Sequence, residues 1–293
     1  MAGQDAAWRD FYEEAWETRA NLLRRLIAEG ERNIPRLLRR FEAYERKYRV
    51  KRTADGARFE RIVWPKPLEV GSAGVPLLRI SAFRGNALLV PFHSLDQPAN
   101  FVVDYIDEHG PFDTVIELGC GYSRNLFDIF YGGGPQDTRY YGGELTQSGV
   151  AVGREIATLD PEMKVEFFPF DYLDPVLPIA PVERALVFTV HSIEQVCQID
   201  PRLFAVIAGA GKSVDCIHLE PFGFQLVELG PASREHRDQA VENKWNLNFA
   251  AALQEAQRLH GVKLDCVVTE TSLPLDPRNP TSLAVWHSGR KAA

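Results

Sequence analysis

The feature that most constrains the fold is a regular alternation of short apolar runs with turns or helical segments over the C-terminal two-thirds of the chain. Strands that alternate with helices predict a mostly parallel sheet covered on both faces. We therefore predict a doubly wound α/β fold built on a seven-stranded sheet. The predicted strands are residues 113–118, 139–145, 164–170, 185–190, 215–220, 263–270 and 282–287.

A glycine-rich turn follows the first of these strands. The strand runs through Glu117 into Gly119 and Gly121, and a helix is expected to follow. Glycine allows a positive φ and the close approach of a ligand, and the open amide groups of such a turn can bind an anionic or polar group. A dinucleotide-binding turn would have a third glycine at position 124, where this chain has Arg124.

This turn resembles motif I of the class I S-adenosylmethionine-dependent methyltransferases, in which an acidic residue precedes a G-x-G-x-G or G-x-G-x-S turn by two positions. The resemblance covers about residues 97 to 290 and implies S-adenosylmethionine as the cofactor. It also implies a sheet whose last strand is antiparallel, as residues 263–270 and 282–287 suggest. The cofactor-binding residues that it implies in the turn are Glu117, Gly119, Cys120, Gly121, Ser123 and Asn125.

The next two predicted strands also end in acidic residues. Glu144 ends the second strand, and Asp171 and Tyr172 follow the third. An acidic side chain at the second position can accept hydrogen bonds from both ribose hydroxyls of a nucleoside. In the resembled family the third position contacts the adenine, so the resemblance implies that Asp171 and Tyr172 bind the base. A helix cap or a surface position could also explain any one of these acids taken alone.

The methyl acceptor is expected beyond the fourth and fifth strands, which end at His191 and Glu220. We predict His191 as a general base and a cofactor contact, because its ordinary pKa lies near neutrality. Glu194 and Glu220 are predicted to hold the acceptor, and Phe222 and Phe224 to wall an apolar pocket. Structural roles for His191, Glu194 and Glu220 stay open. No metal site is predicted.

The first 96 residues follow a different pattern. Apolar side chains recur at helical spacing from about Ala6 to Val50, and Gly30 and Pro35 divide this stretch. We predict that residues 1–96 form a helical extension with an irregular β-like segment, preceding a Rossmann-like domain at 97–293. The extension is interpreted as a lid, with His93 or Gln97 facing the cofactor or acceptor, or as a homodimer contact through its helices.

Composition limits the partners and the compartment. The formal net charge of −7 disfavours nucleic acid as the main partner. The four cysteines form no C-x-x-C pair, and the N-terminus lacks the pattern of a signal peptide, so a cytoplasmic location is expected. No apolar run approaches the ~20 residues that cross a bilayer.

The predicted function is S-adenosylmethionine-dependent methylation of N or O of a small molecule. Two alternatives stay open: other chemistry of the same cofactor, such as aminopropyl transfer or cyclisation, and a non-catalytic cofactor-binding or assembly protein.

Overall fold

The computed structural model describes residues 2–54, 56–62, 78–83, 86–91, 98–227, 231–272 and 281–289. The described residues form helices and strands in alternating order along most of the chain. The helices are α1 (Ala2–Ala28), α2 (Ile34–Glu45), α3 (Pro98–His109), α4 (Arg124–Tyr131), α5 (Gln147–Ala157), α6 (Arg202–Ala208), α7 (Pro231–Asn243) and α8 (Phe249–Leu259). The strands are β1 (Tyr48–Thr53), β2 (Gly56–Arg61), β3 (Leu78–Phe83), β4 (Asn86–Pro91), β5 (Thr114–Leu118), β6 (Arg139–Glu144), β7 (Val165–Pro169), β8 (Val182–Val190), β9 (Gly211–Glu220), β10 (Lys263–Ser272) and β11 (Thr281–Ser288).

Seven strands form one sheet in the order β10-β11-β9-β8-β5-β6-β7. The strands from β9 to β7 pair in parallel, whereas β11 is antiparallel to both of its neighbours. The predicted doubly wound sheet with an antiparallel last strand is confirmed. The chain order reverses between β5 and β8, and ligands of open parallel sheets bind at the carboxyl ends of the strands at such a switch point.

The sheet is buried on both faces, which explains why its central strands are continuously apolar. All five residues of β5 are buried. Val115 packs into the core on one face with α1 to α5, whereas Ile116 and Leu118 pack into the core on the other face with α6 and α8. The successive side chains of a strand point to opposite faces, so the two cores are built from the same strands.

The N-terminal helices belong to the first of these cores. Leu23, Leu37 and Phe41 are buried in one cluster with Val102 and Phe127. The apolar stripe of α1 is therefore covered by its own chain. The division at residues 96 and 97 and the homodimer contact stay predictions. Among the described residues, no helix has both the length and the apolar character needed to cross a membrane.

The boundaries at the N-terminus differ in part from the predicted ones. Gly30, with a φ of 97°, lies in the turn after α1, and Pro35 lies in the first turn of α2. The helix predicted to continue to Val50 is wrong beyond Glu45, because β1 begins at Tyr48 and pairs with β2 in an antiparallel hairpin. Val50 lies opposite Phe59, whose ring packs on Tyr44 of α2. This contact depends on residues distant in sequence, so helical spacing alone could not exclude the strand.

Candidate active site

The turn between β5 and α4 has the left-handed backbone that its glycines predict. Gly119, Gly121 and Ser123 have φ values of 71°, 57° and 63°. The amides of Gly119 and Cys120 both donate to the carbonyl of Gly143 in β6, at 2.8 and 3.0 Å. The turn is therefore fixed to the end of the neighbouring strand.

Protein side chains approach these two glycines closely. A Cβ added at Gly119 would lie 2.3 Å from Cβ of Ser192, and one added at Gly121 would lie 2.4 Å from the ring of Trp16. Ser192 follows β8, whereas Trp16 comes from α1. Glycine is required here for space as well as for φ.

A cavity of about 120 Å³ lies over the turn, at the carboxyl ends of β5, β6, β7 and β8. Five of the predicted residues line it: Gly119, Glu144, Asp171, Tyr172 and His191. Lining residues that the sequence analysis did not single out are Tyr12, Trp16, Leu145, Thr146, Phe170, Ser192, Gln195 and Val196.

Helix α1 covers this cavity with polar contacts to its rim. Arg9 pairs with Asp171 at 2.5 Å, and the Tyr12 hydroxyl donates to Oε1 of Gln195. The carboxylate of Glu13 accepts from the amide of Ser148 at 2.7 Å, at the start of α5. Apolar side chains at helical spacing predicted a helix in this stretch, but they carried no signal of what α1 would cover.

Glu117 lies in β5 two residues before Gly119, is 1% exposed and does not line the cavity. Its Oε1 accepts from Nδ2 of Asn125 at 2.6 Å, whereas Oε2 has no hydrogen-bond partner among the residues that the structure describes. Burial, reinforced by the nearby charge of Glu144, raises the pKa of Glu117 to about 8. A buried carboxylate oxygen without a donor is costly unless a ligand or a proton satisfies it.

Glu144 is buried at the end of β6 and is held by its surroundings. Its Oε2 accepts from the amide of Gly121 at 2.9 Å, and its Oε1 accepts from the amide and the hydroxyl of Thr146, at 3.0 and 2.8 Å. Burial raises the pKa of Glu144 despite these donors. The carboxylate therefore joins the glycine turn to the start of α5.

His191 follows β8 with a φ of 45°, which is unusual for a residue with a side chain. Its Nε2 lies 2.7 Å from Oγ1 of Thr281, and its Nδ1 lies 3.5 Å from Oε2 of Glu194. Burial lowers the pKa of His191, but the carboxylates of Glu194 and Glu220 outweigh burial and the net shift is upward. An imidazole so placed can accept a proton and hold it.

Glu220 is directed at the backbone after β8. Its carboxylate accepts from the amides of Ser192 (3.0 and 3.1 Å), Ile193 (3.2 Å) and Glu194 (3.4 Å). Burial raises its pKa, and the charge of His191 opposes that shift. Glu220 and Glu194 lie behind the cavity wall and are not lining residues.

The remaining predicted residues lie away from the cavity lining. Cys120, Ser123 and Asn125 are in the turn or the first residues of α4 but do not line the cavity. The ring centroid of Phe222 lies 4.5 Å from that of Phe249 in α8, and the centroid of Phe224 lies 4.7 Å from that of His236 in α7. Neither residue lines this cavity. His93 and Gln97 lie outside the described residues. Within the described ranges no group of three His, Cys, Asp or Glu residues is placed to hold a metal ion.

No protein-family model and no curated protein matches the chain. Solved structures are similar to it at low identity. A geranyl diphosphate methyltransferase in complex with its substrate and sinefungin is 15% identical over 66% of this chain and 77% of its own, with a TM-score of 0.46. The magnesium protoporphyrin IX methyltransferase of Synechocystis, with bound S-adenosylhomocysteine, is 13% identical over 66% and 82%, with a TM-score of 0.47. The mitomycin 7-O-methyltransferase is 16% identical over 65% and 53%, with a TM-score of 0.43.

The strand order and the reversed β11 identify the fold independently of these identities and TM-scores. The described residues form a mostly parallel sheet with a reversed β11 and a left-handed glycine turn after its first strand. The chain therefore has a Rossmann-like, doubly wound fold, which is the fold that the resemblance to class I S-adenosylmethionine-dependent methyltransferases implies.

Proposed function

We propose that the chain binds S-adenosylmethionine over the Gly119–Gly121 turn and methylates N or O of a small molecule. The observation that carries this proposal is the set of three acidic residues, Glu117, Glu144 and Asp171, at the ends of three neighbouring strands around one left-handed turn. Their oxygens can accept hydrogen bonds from the ammonium, ribose hydroxyl and adenine amino groups of this cofactor.

The chemistry of this set fits the parts of the cofactor. The oxygen of Glu117 without a partner can accept from the ammonium group of the methionyl moiety. Glu144 would hold the ribose hydroxyls and Asp171 the adenine amino group, with Tyr172 beside the ring. Because Glu144 and Asp171 already have protein partners, cofactor binding would exchange some of these hydrogen bonds.

Entry of the cofactor requires a change in α1. The cavity measures about 120 Å³, whereas small-molecule sites typically measure about 300–1,000 Å³. The side chains of Arg9, Tyr12 and Trp16 take up the space over the turn. We therefore propose that α1 is a lid, which opens for the cofactor and then excludes water.

When bound, S-adenosylmethionine supplies a methyl group that an acceptor lone pair attacks as the carbon–sulfur bond breaks, leaving S-adenosylhomocysteine. The protein's task is mainly alignment, which contributes on the order of 7–11 kcal/mol in well-oriented reactions. His191 would take the proton that the acceptor loses and pass it to solvent. Glu194 would stabilise the imidazolium, in keeping with its position 3.5 Å from Nδ1.

The contacts of Glu220 favour a different role from acceptor binding. Its oxygens accept from the amides of residues 192–194, so it would fix the turn that presents His191 and Ser192 to the cavity. We propose that Glu194 and Glu220 act through His191. The cytoplasmic location stays a prediction.

Calorimetry and product analysis test the proposal. Purified protein should release heat with S-adenosylmethionine and S-adenosylhomocysteine and none with NAD. S-adenosylhomocysteine formed with a methylated acceptor supports methyl transfer. A different product from the cofactor would favour aminopropyl transfer or cyclisation, and binding without turnover would favour the non-catalytic alternative. Absence of binding to either sulfur compound would reject the proposal.

His191→Gln separates binding from chemistry. We expect turnover to fall by about 10²–10⁴-fold, as for loss of a positioned base, while cofactor affinity stays within a few-fold of wild type. His260→Gln is the matched control, because His260 follows α8 and does not line the cavity. Equal effects of the two substitutions would exclude His191 as the base.

A further inference from the structure

Behind the cavity wall lies a row of four buried side chains from β8, β9 and β11. Trp286, His218 and Thr189 are 0% exposed, and Glu220 is 2% exposed. Nε1 of Trp286 lies 2.9 Å from Nε2 of His218, and Nδ1 of His218 lies 2.9 Å from Oγ1 of Thr189. Glu220 follows His218 by two residues on the same face of β9, which pairs with β8 at Thr189. Burial raises the pKa of the Glu220 carboxyl, and the neighbouring Thr189 hydroxyl opposes that shift.

The direction of each hydrogen bond in this row is determined by chemistry. An indole N–H only donates, so Nε2 of His218 must accept. Burial lowers the pKa of His218 to about 3, so the ring is neutral and its single proton lies on Nδ1. That proton is donated to Oγ1 of Thr189, so the hydroxyl proton of Thr189 is directed away from His218, on the side where Glu220 lies. The Sγ atom of Cys216 lies 3.4 Å from the same nitrogen and does not alter this assignment.

The row ends on the backbone that carries His191. Glu220 accepts from three successive amides, of Ser192, Ile193 and Glu194. His191 immediately precedes them in a left-handed conformation, which costs on the order of 1–3 kcal/mol and persists only when its surroundings impose it. A carboxylate with a fixed orientation behind the turn is such a constraint.

We infer that Thr189, His218 and Trp286 are positioning residues, which orient Glu220 and through it hold His191 toward the cavity. The inference rests on the proposed function for its catalytic meaning. Its geometric part, the one-way row of hydrogen bonds, stands independently of the cofactor.

The first test is nitrogen NMR of the wild-type protein labelled in histidine, with the signals assigned by His191→Gln and His218→Gln. We expect His218 to stay neutral from about pH 5 to 9, a range in which an ordinary histidine would titrate. Its single proton should lie on Nδ1. A proton on Nε2, or a charged ring, would overturn the row, whether or not the protein binds S-adenosylmethionine.

The second test compares Thr189→Val, which removes the hydroxyl at nearly constant shape, with Thr189→Ser, which keeps it. For Thr189→Val we expect the pKa of His191 to shift and kcat to fall about tenfold, the value of one hydrogen bond to a charged group. Affinity for S-adenosylmethionine should stay within about twofold, and Thr189→Ser should restore the wild-type pH profile. Folded Thr189→Val protein with the wild-type His191 titration and pH profile would overturn the inference.

Trp286→Phe covers the case in which Thr189→Val does not fold. It keeps an aromatic ring in the core but removes the indole N–H. Both tautomers of His218 then become possible, and we expect a mixture by nitrogen NMR with a smaller change in the His191 titration. An unchanged single Nδ1–H tautomer together with an unchanged His191 titration would show that Trp286 does not direct the row.

If the wild-type protein fails to bind S-adenosylmethionine while His218 has the expected tautomer, the proposed function fails and the hydrogen-bonded row stands. If binding and turnover occur but Thr189→Val leaves the kcat and pH profile unchanged, the positioning role fails and the proposed function stands.

Discussion

The candidate site has two halves, one at the ends of β5, β6 and β7 and the other at the ends of β8 and β9. Their acidic residues differ in their hydrogen-bond partners. Near the end of β5, one oxygen of Glu117 has no hydrogen-bond partner among the described residues, and after β7 Asp171 is paired with Arg9 from the covering helix. At the end of β9, both oxygens of Glu220 accept from backbone amides of the turn after β8. Carboxylates at equivalent strand ends thus differ in availability. The neighbouring donors, and not the residue type, decide whether such a group can bind a ligand.

The largest effect is expected where the carboxylate supports backbone. Glu220→Gln replaces one acceptor oxygen with an amide that faces N–H donors. We expect the free energy of unfolding to fall by about 3 kcal/mol, by analogy with buried hydrogen bonds to charged groups. The pKa of His191 should fall, because a negative charge that raises it is lost. Denaturant unfolding and NMR titration measure the two effects. An unchanged free energy of unfolding would show that the Glu220 carboxylate does not support the backbone amides, and the proposed difference from Glu117 would be rejected.

A second test concerns the point where the two halves meet. Gly119→Ala brings a Cβ within 2.3 Å of Ser192, at a φ of 71°. Gly261→Ala is the matched control, because its φ is 66° and nothing lies within 4 Å of the added atom. Overpacking of this kind costs about 1–3 kcal/mol, so Gly119→Ala should be less stable than the control by about 2 kcal/mol in denaturant unfolding. Equal losses would mean that only φ matters at position 119.

The third prediction uses the pKa of Glu117, which is about 8 in the folded chain and 4.5 as its ordinary value. Between these pH values the folded state keeps a proton that the unfolded state has lost, so stability falls as pH rises. The loss approaches about 1.4 kcal/mol per pH unit within that window.

The free energy of unfolding of Glu117→Gln and of the wild type, measured at several pH values from about 5 to 8, checks the sign of this slope. The window lies between the ordinary and the folded-state pKa of Glu117. Glu117→Gln should make the slope shallower than in the wild type, whereas Glu166→Gln, on the exposed side of β7, should leave it unchanged. A slope that Glu117→Gln does not change would show that Glu117 is ionised in the folded chain.

The smallest effect is expected at the lid. Arg9→Ala removes a partly exposed ion pair, for which measured contributions are about 0.2–1 kcal/mol. Since this pair holds α1 on Asp171, we expect cofactor affinity to rise by up to about fivefold in calorimetry. Arg24→Ala is the control on the same helix, because Arg24 pairs with Glu155 of α5, and neither residue lines the cavity. Weaker binding in Arg9→Ala would mean that Arg9 contacts the cofactor and does not compete with it.

Local sequence determined the sheet and the glycine turn. The apolar runs predicted all seven strands of the sheet because both faces of each central strand are buried. Gly119 and Gly121 predicted a left-handed turn because a side chain disfavours that backbone. The helix α7 was not predicted, because few apolar residues mark a face between Pro231 and Asn243.

Tertiary structure decided which predicted residues face the cavity. Glu144 and Glu220 are each the last residue of a strand, yet of these two only Glu144 lines the cavity. The sequence also did not predict that Tyr12 and Trp16 line the cavity, because helical spacing identifies a common face of a helix but not what that face contacts. The physical reason is that backbone geometry and burial follow from neighbouring residues, whereas hydrogen-bond partners and access depend on elements brought together from distant parts of the chain.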